Sequence, residues 1–370
     1  MNFIELLQFS MGILEKVPDI TDINWEAMFA TAKKQSLAGI MYCGIEKLPK
    51  EQRPEKNILL KWYMLAETIK QCNQTLNKLA VRTVEQYAAD GFQVCLLKGQ
   101  GNTLMYPDSM MRTPGDIDLW VKPLGEKYDI KATRKAVNDY VKAHYKNPEF
   151  RYYHAEYAVD KTSVEAHYMP SIMNNPIYNK RLQRWFSDRM DEQCQHVVAL
   201  PGGVGQIPVP TFEFNVVFQL SHMMHHYFDE GIGLRQMMDY YYLLRSIDNG
   251  QFSRRECGVA RTMDNLEKTL QYLGLRKFAG AVMYVMQRVF NLEETYMIAP
   301  VDEKRGRSLL GEINKGGNFG QYSGLTKHST GSKYMLKNWR SLHAVKEYPA
   351  EALSEPLFRT WHFFWRFMNK

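Results

Sequence analysis

The chain lacks any CxxC pair, and its five cysteines, Cys43, Cys72, Cys95, Cys194 and Cys257, are odd in number and scattered. That argues against a disulfide framework and a cysteine-built zinc site, and favours a reducing compartment, the cytoplasm. No apolar run approaches the ~18 to 20 residues that span a bilayer. The opening "MNFIELLQFSMGILEKV" has neither a cationic start nor a small-residue cleavage site, so it reads as an amphipathic helix and not a leader. Internal repeats, low-complexity tracts and aromatic RNA-binding strands of the RNP type are also missing.

What is present is ordinary soluble usage, 45% hydrophobic and 24% charged residues, which selects no function by itself. A length of 370 residues suggests two or three packed units. The net charge of +7 is unevenly placed, because residues 301–370 hold twelve Lys/Arg against six Asp/Glu. Such a basic end is either a solvated face or a surface for phosphate, nucleic acid or an acidic partner.

Along the chain, residues 1–90 carry apolar residues at three- and four-residue spacing and read as helical throughout. "WEAMFATAKKQSLAGIMYCGIEKL" gives one helical stretch and "NILLKWYMLAETIKQCNQTLNKLAVRTVEQYAADG" another, stopped by Gly91. "FQVCLLKG" is a short buried strand, "DIDLWV" a second, and a charged helix follows near residues 126–146. "FRYYHAEYAVDKTSVEAHYM" alternates across "DKT" as a hairpin, and "HVVALPGGVGQIPVP" offers another. From Thr211, a plausible N-cap, the pattern turns helical again. "INKGGNFGQYSGLTKHSTGSK" reads as a mobile loop, and "PLFRTWHFFWRFM" as an amphipathic helix that packs back on the body or lies on a partner or membrane. The expected units are a helical region 1–90, an α/β core 91–210, a helical unit 211–300 completing a cleft, and a basic region 301–370. The fold class is α+β, a small mixed sheet flanked by helices.

The chemistry concentrates in "LLKGQGNTLMYPDSMMRTPGDIDLWV". In a strand, residues two apart share a face, so Asp116 and Asp118 point together while Ile117, Leu119 and Val121 enter the core. Such a pair is either a solvent-facing strand side or a platform for a hard divalent ion, Mg²⁺ or Mn²⁺, which neutralises the repulsion. The "KGQG" turn favours the second reading: its glycines and a helix start allow backbone amides to approach an anion, and Lys98 and Arg112 add positive charge nearby. Glu165 in "SVEAHY" is the candidate third carboxylate, sharing a face with His167; its plain alternative is an edge-strand charge.

His222, His225 and His226 stand at i, i+3 and i+4 on one expected helix. They can hold zinc, serve as core histidines bonded to Asp229 or Asp239, or line a nucleotide cleft. Arg235 and Asp239 are spaced to pair at i, i+4.

Taken as a set, "KGQGNTLMYPDSMMRTPGDIDLWV" with "VEAH" resembles the polymerase-beta-like nucleotidyltransferase superfamily, in particular a bacterial group of nucleotidyltransferases. The matching positions are Lys98, Gly99, Tyr106, Arg112, Asp116 and Asp118, with His222, His226, Arg235 and Asp239 downstream. The turn here is Gly-Gln-Gly where relatives carry Gly-Ser or Gly-Gly closer to the acidic pair, and the third carboxylate is Glu where Asp is more frequent. The resemblance implies two Mg²⁺ or Mn²⁺ ions held by Asp116, Asp118 and Glu165. It implies a nucleoside triphosphate whose phosphates meet Lys98, Gly99, Gln100, Gly101 and Arg112, and cleft contacts from His222, His226, Arg235 and Asp239. The expected reaction passes a nucleoside monophosphate to a hydroxyl-bearing acceptor. The competing expectation is a non-catalytic nucleotide-binding protein that keeps the fold.

Overall fold

In the computed structural model, residues 3–17, 23–249, 259–318, 341 and 344–368 are described. Helices α1 (Phe3–Ser10), α2 (Trp25–Lys34) and α3 (Ala38–Lys47) open the chain. The stretch read as one helix is thus broken in two, at Ser36 with its left-handed φ of 57°. A distant demand accompanies the break: buried Gln35 accepts from the Leu234 amide at 2.9 Å and donates to the Ile313 carbonyl at 3.1 Å. Helix α4 (Lys56–Ala89) then runs for 34 residues without interruption and stops before Gly91, whose φ of 84° suits a residue lacking Cβ.

The central sheet follows, from β1 (Phe92–Leu97), α5 (Gly99–Thr103), β2 (Ile117–Pro123), α6 (Ile130–His144), β3 (Glu149–Phe150), β4 (His154–Val159) and β5 (Thr162–His167). Its order is β1-β2-β5-β4-β3. Strands β2 and β5 run parallel and the other neighbours antiparallel, so the sheet is mixed. The β4–β5 turn is made by Asp160 and Lys161, both at positive φ (47° and 69°), as a two-residue hairpin loop requires.

Register puts Asp118 beside Glu165 and Trp120 beside His167, so these four share one face. Ile117, Leu119 and Val121 are fully buried on the other. Helix α4 packs along β1, and α6 across β2 and β4.

Beyond the sheet come α7 (Pro176–Ser187), α8 (Met190–Gln195) and a small hairpin of β6 (Val197–Ala199) and β7 (Gln206–Pro208). Helices α9 (Phe212–Asp229), α10 (Leu234–Arg245), α11 (Val259–Tyr272), α12 (Arg276–Phe290) and α13 (Glu303–Gly316) form the second helical layer. Thr211 stands at the N-cap of α9, but its hydroxyl bonds Gln193 Oε1 and not the helix amides. Phe214 of α9 stacks on Trp120 with ring centroids 5.4 Å apart, which seats α9 over the face carrying Asp118.

The aromatic end helix, α14 (Pro349–Met368), begins at Pro349 and carries Pro356 inside it, where the sequence pattern starts the helix. Proline at the first helical position is well placed, whereas Pro356, inside the helix, removes one amide donor and crowds the preceding turn. One side of α14 packs back on the body: Trp361 and Trp365 meet Tyr152 edge to face, and Arg134 lies over the Trp365 ring. The loop expected over residues 313–333 starts later than its sequence suggests, since residues 313–316 form the last turn of α13, and beyond Asn318 it lies outside the described residues. No helix among the described residues is long and apolar enough to cross a membrane.

Candidate active site

Four elements converge on one pocket. The turn after β1 supplies Lys98, the residue before β2 Asp116, β2 itself Asp118, α9 Gln219 and His222, and α10 Arg235, Gln236 and Asp239. Gly99, Arg112, Gly115 and Met223 complete the lining of this pocket.

The turn after β1 is conformationally demanding. Lys98 and Gly99 both adopt positive φ, 52° and 48°, and for a lysine that is costly backbone. The side chain is tied down in compensation: Lys98 Nζ lies 3.0 Å from Asp118 Oδ1 and 2.9 Å from His222 Nε2. Because an ammonium can only donate, His222 accepts through Nε2, and His226 Nε2 lies 3.2 Å from the same atom. Burial, and then the Lys98 charge, push the His222 pKa well below its ordinary value and keep the ring neutral. Burial also opposes the Lys98 ammonium. The carboxylates of Asp118, Asp116 and Glu165 outweigh it, and Lys98 holds its proton more tightly than a free lysine.

Asp116, Asp118 and Glu165 bring one carboxylate oxygen each to within 4.8 Å of one another. Asp116 is exposed, Asp118 fully buried and Glu165 between the two. Three like charges at that spacing need cations. The protein supplies two, Lys98 and His167, whose Nε2 lies 3.1 Å from Asp118 Oδ1 and 3.0 Å from Glu165 Oε2. Burial works against a charged His167, but both carboxylates reverse the balance and its pKa is pushed up to about 9. Burial raises and the His167 contact lowers the Glu165 pKa, and the net shift is downward. An all-oxygen donor set of this kind fits a hard divalent ion.

Arg112 is committed elsewhere. Its Nε and Nη2 bond Asp239 Oδ1 and Oδ2 at 2.6 and 2.8 Å, and the Tyr106 hydroxyl donates to Oδ1 at 2.6 Å. Burial would lift the Asp239 pKa, but Arg112 holds it below the usual carboxylate value. The partner of Asp239 is therefore Arg112, across the fold, where helical spacing suggested Arg235. Arg235 instead donates Nη1 to the Thr113 carbonyl at 3.0 Å and lines the pocket as a buried cation. Asn73 of α4 fixes the Arg112 loop by donating to the Met110 and Arg112 carbonyls at 2.8 Å each. Gly39 permits that approach, since a Cβ there would stand 2.3 Å from the Met111 carbonyl oxygen.

Of the residues named for the site, Lys98, Gly99, Arg112, Asp116, Asp118, His222, Arg235 and Asp239 line this pocket, and Glu165 joins through the carboxylates. His226 reaches it through His222. Gln100 and Gly101 face away: the Gln100 side chain bonds Asn77, and Gly101 packs on Val209, with its amide on the Lys98 carbonyl at 3.1 Å. Among the described residues, the histidine triple of α9 does not form a metal-capable group. The sequence reading passed over His154 as a neighbour of Glu165 and gave His167 no role. The signal was there, because alternation in "YHAEY" and "VEAH" puts both histidines on the Glu165 face.

No curated protein and no solved structure matches the chain. A family described as uncharacterised nucleotidyltransferase matches residues 21–291, a span that holds every strand among the described residues and every pocket residue named above. With most of its length inside that match, and an α+β fold consistent with a nucleotidyltransferase core, the chain belongs to the uncharacterised nucleotidyltransferase family.

Proposed function

We propose that the protein transfers a nucleoside monophosphate from a nucleoside triphosphate to a hydroxyl-bearing acceptor, with Mg²⁺ or Mn²⁺ held by Asp116, Asp118 and Glu165 in a two-metal arrangement. The observation that carries this reading is the convergence of three carboxylates on the pocket that also holds Lys98, Gly99 and Arg235. When bound, the ions would neutralise the phosphates and favour the ionised acceptor hydroxyl.

The chain's own groups divide the remaining work. Lys98 and Arg235 present positive charge to a polyphosphate, and the Gly99 backbone can approach it closely. Arg112, held by Asp239, keeps the loop before β2 in place and so positions Asp116. The acceptor oxygen forms its bond to the α-phosphorus as the bond to the bridging oxygen breaks, and pyrophosphate leaves. Catalysis of that displacement is mainly positioning and charge compensation.

One observation favours the competing reading, nucleotide binding without chemistry: Asp118 already has two cationic partners, Lys98 and His167. Pyrophosphate release separates the two. Incubation with each nucleoside triphosphate, Mg²⁺ and cell extract is expected to release pyrophosphate from wild type and not from Asp116→Ala. Asp116 is the right control because it is exposed, whereas truncating Asp118 strands the buried charge of Lys98. Equal release by both proteins, with every nucleotide, contradicts the catalytic reading.

A further inference from the structure

We propose that His154, Glu165 and His167 form a site for one first-row transition dication of the Mn²⁺, Co²⁺ or Zn²⁺ class, distinct in donor chemistry from the all-oxygen cluster beside it. Each of the three offers a ligand atom within 4.8 Å of the others. Glu165 Oε2 lies 3.3 Å from His154 Nδ1 and 3.0 Å from His167 Nε2. Ligands bound at about 2.1 Å stand about 3.0 Å apart at right angles and about 3.4 Å apart at the tetrahedral angle, so these separations need little adjustment around an ion.

A second observation is independent of the cluster. His154 is 4% exposed, yet its Nε2 has no hydrogen-bond partner and its Nδ1 meets only the Glu165 carboxylate. A buried imidazole kept only for packing would bond a carbonyl or hydroxyl, since leaving a buried polar nitrogen unsatisfied is costly. His154 instead sits opposite His167 across the β4–β5 pair, with Nδ1 towards Glu165. The ion would take the place of the His167 proton, and two imidazoles with one carboxylate then select against Mg²⁺, which prefers oxygen and water, and for a softer ion. Glu165 belongs to both groups, so its carboxylate can bridge the transition ion and an ion on Asp116 and Asp118.

This inference rests on Glu165 facing metal, as in the reading above, but not on the proposed reaction. The test uses the full chain, stripped with a chelator and titrated with Co²⁺ in the presence and absence of excess Mg²⁺. One Co²⁺ per chain is expected to survive the Mg²⁺ challenge. Pulsed EPR on the Mn²⁺-loaded wild type is expected to show two imidazole nitrogens, a readout that needs no variant. His154→Gln should weaken Co²⁺ binding by about tenfold or more, and Asp116→Asn should leave the nitrogen signature in place. Displacement of Co²⁺ by Mg²⁺, fewer than two imidazole nitrogens, or unchanged affinity in His154→Gln each overturns the proposal. Loss of the nitrogen-ligated ion with intact pyrophosphate release removes this site alone; the reverse result removes the reaction alone.

Discussion

Asp239 takes three donors at once, two from Arg112 and one from Tyr106, in a place where all three side chains are buried. Truncating one partner of a buried ion pair leaves the other charged and dry, which costs about 3–5 kcal/mol. Asp239→Ala is therefore expected to lose that much in urea denaturation, and Arg112→Met/Asp239→Leu to recover most of it. A loss below about 1 kcal/mol for the single variant would show that Arg112 finds another partner or water. This pair also marks where the sequence stops being readable at the residue scale. Spacing along one helix suggests Arg235 for Asp239, but the closer donor arrives from a loop far away in the chain, and no local pattern carries that information. The carboxylates are different. Period-2 alternation within "DIDLWV" and "SVEAHY" fixes which side chains share a face, and parallel pairing of β2 with β5 then brings them together.

Among elements, α14 has a latch with a pH dependence of its own. The Glu351 carboxylate accepts from the Asn174 amide at 2.7 Å and the Asn175 amide at 3.2 Å, tying the start of α14 to the chain leading into α7. Burial raises its pKa from 4.5 to about 7 despite those two bonds. The folded protein thus keeps a proton that the unfolded chain gives up between those values. Its contribution to stability is complete below about 4.5 and is lost as the pH rises through about 7. Thermal unfolding of wild type and Glu351→Gln from pH 4.5 to pH 8 checks this: the advantage of wild type over the variant should decline across that window. A constant difference contradicts it. Most element types were legible because apolar spacing sets them locally. The break at Ser36 was not, because what accompanies it, the bonds from Gln35 to Leu234 and Ile313, joins segments far apart in sequence.

For the whole molecule, one apolar core runs from Leu6 to Ala352, and the pocket opens where the sheet meets α9 and α10. A ligand seated there touches β1, β2, α9 and α10 together, so binding should be felt by the entire fold. Mn²⁺ and a nucleoside triphosphate added together are expected to raise the melting temperature, by the equivalent of about 2.7 kcal/mol at a hundredfold excess over Kd. Either alone should do less, since metal and phosphates complete each other's shells. No shift with any nucleotide would mean that the pocket is not a nucleotide site. At this scale the sequence located the pocket through its motif and gave the mixed sheet, but not the way Asp239 and Arg235 of α10 divide their partners.

In the proposed reaction the group transferred is the nucleotidyl unit. Parallel reactions with nucleoside triphosphate labelled at the α- or the γ-phosphate test it most directly, in cell extract with Mg²⁺ and with Asp116→Ala as control. Expected are α-label on the acceptor, γ-label only in pyrophosphate, and neither above background for the variant. Label from the γ-position on the acceptor, or α-label transferred equally well by Asp116→Ala, would contradict it.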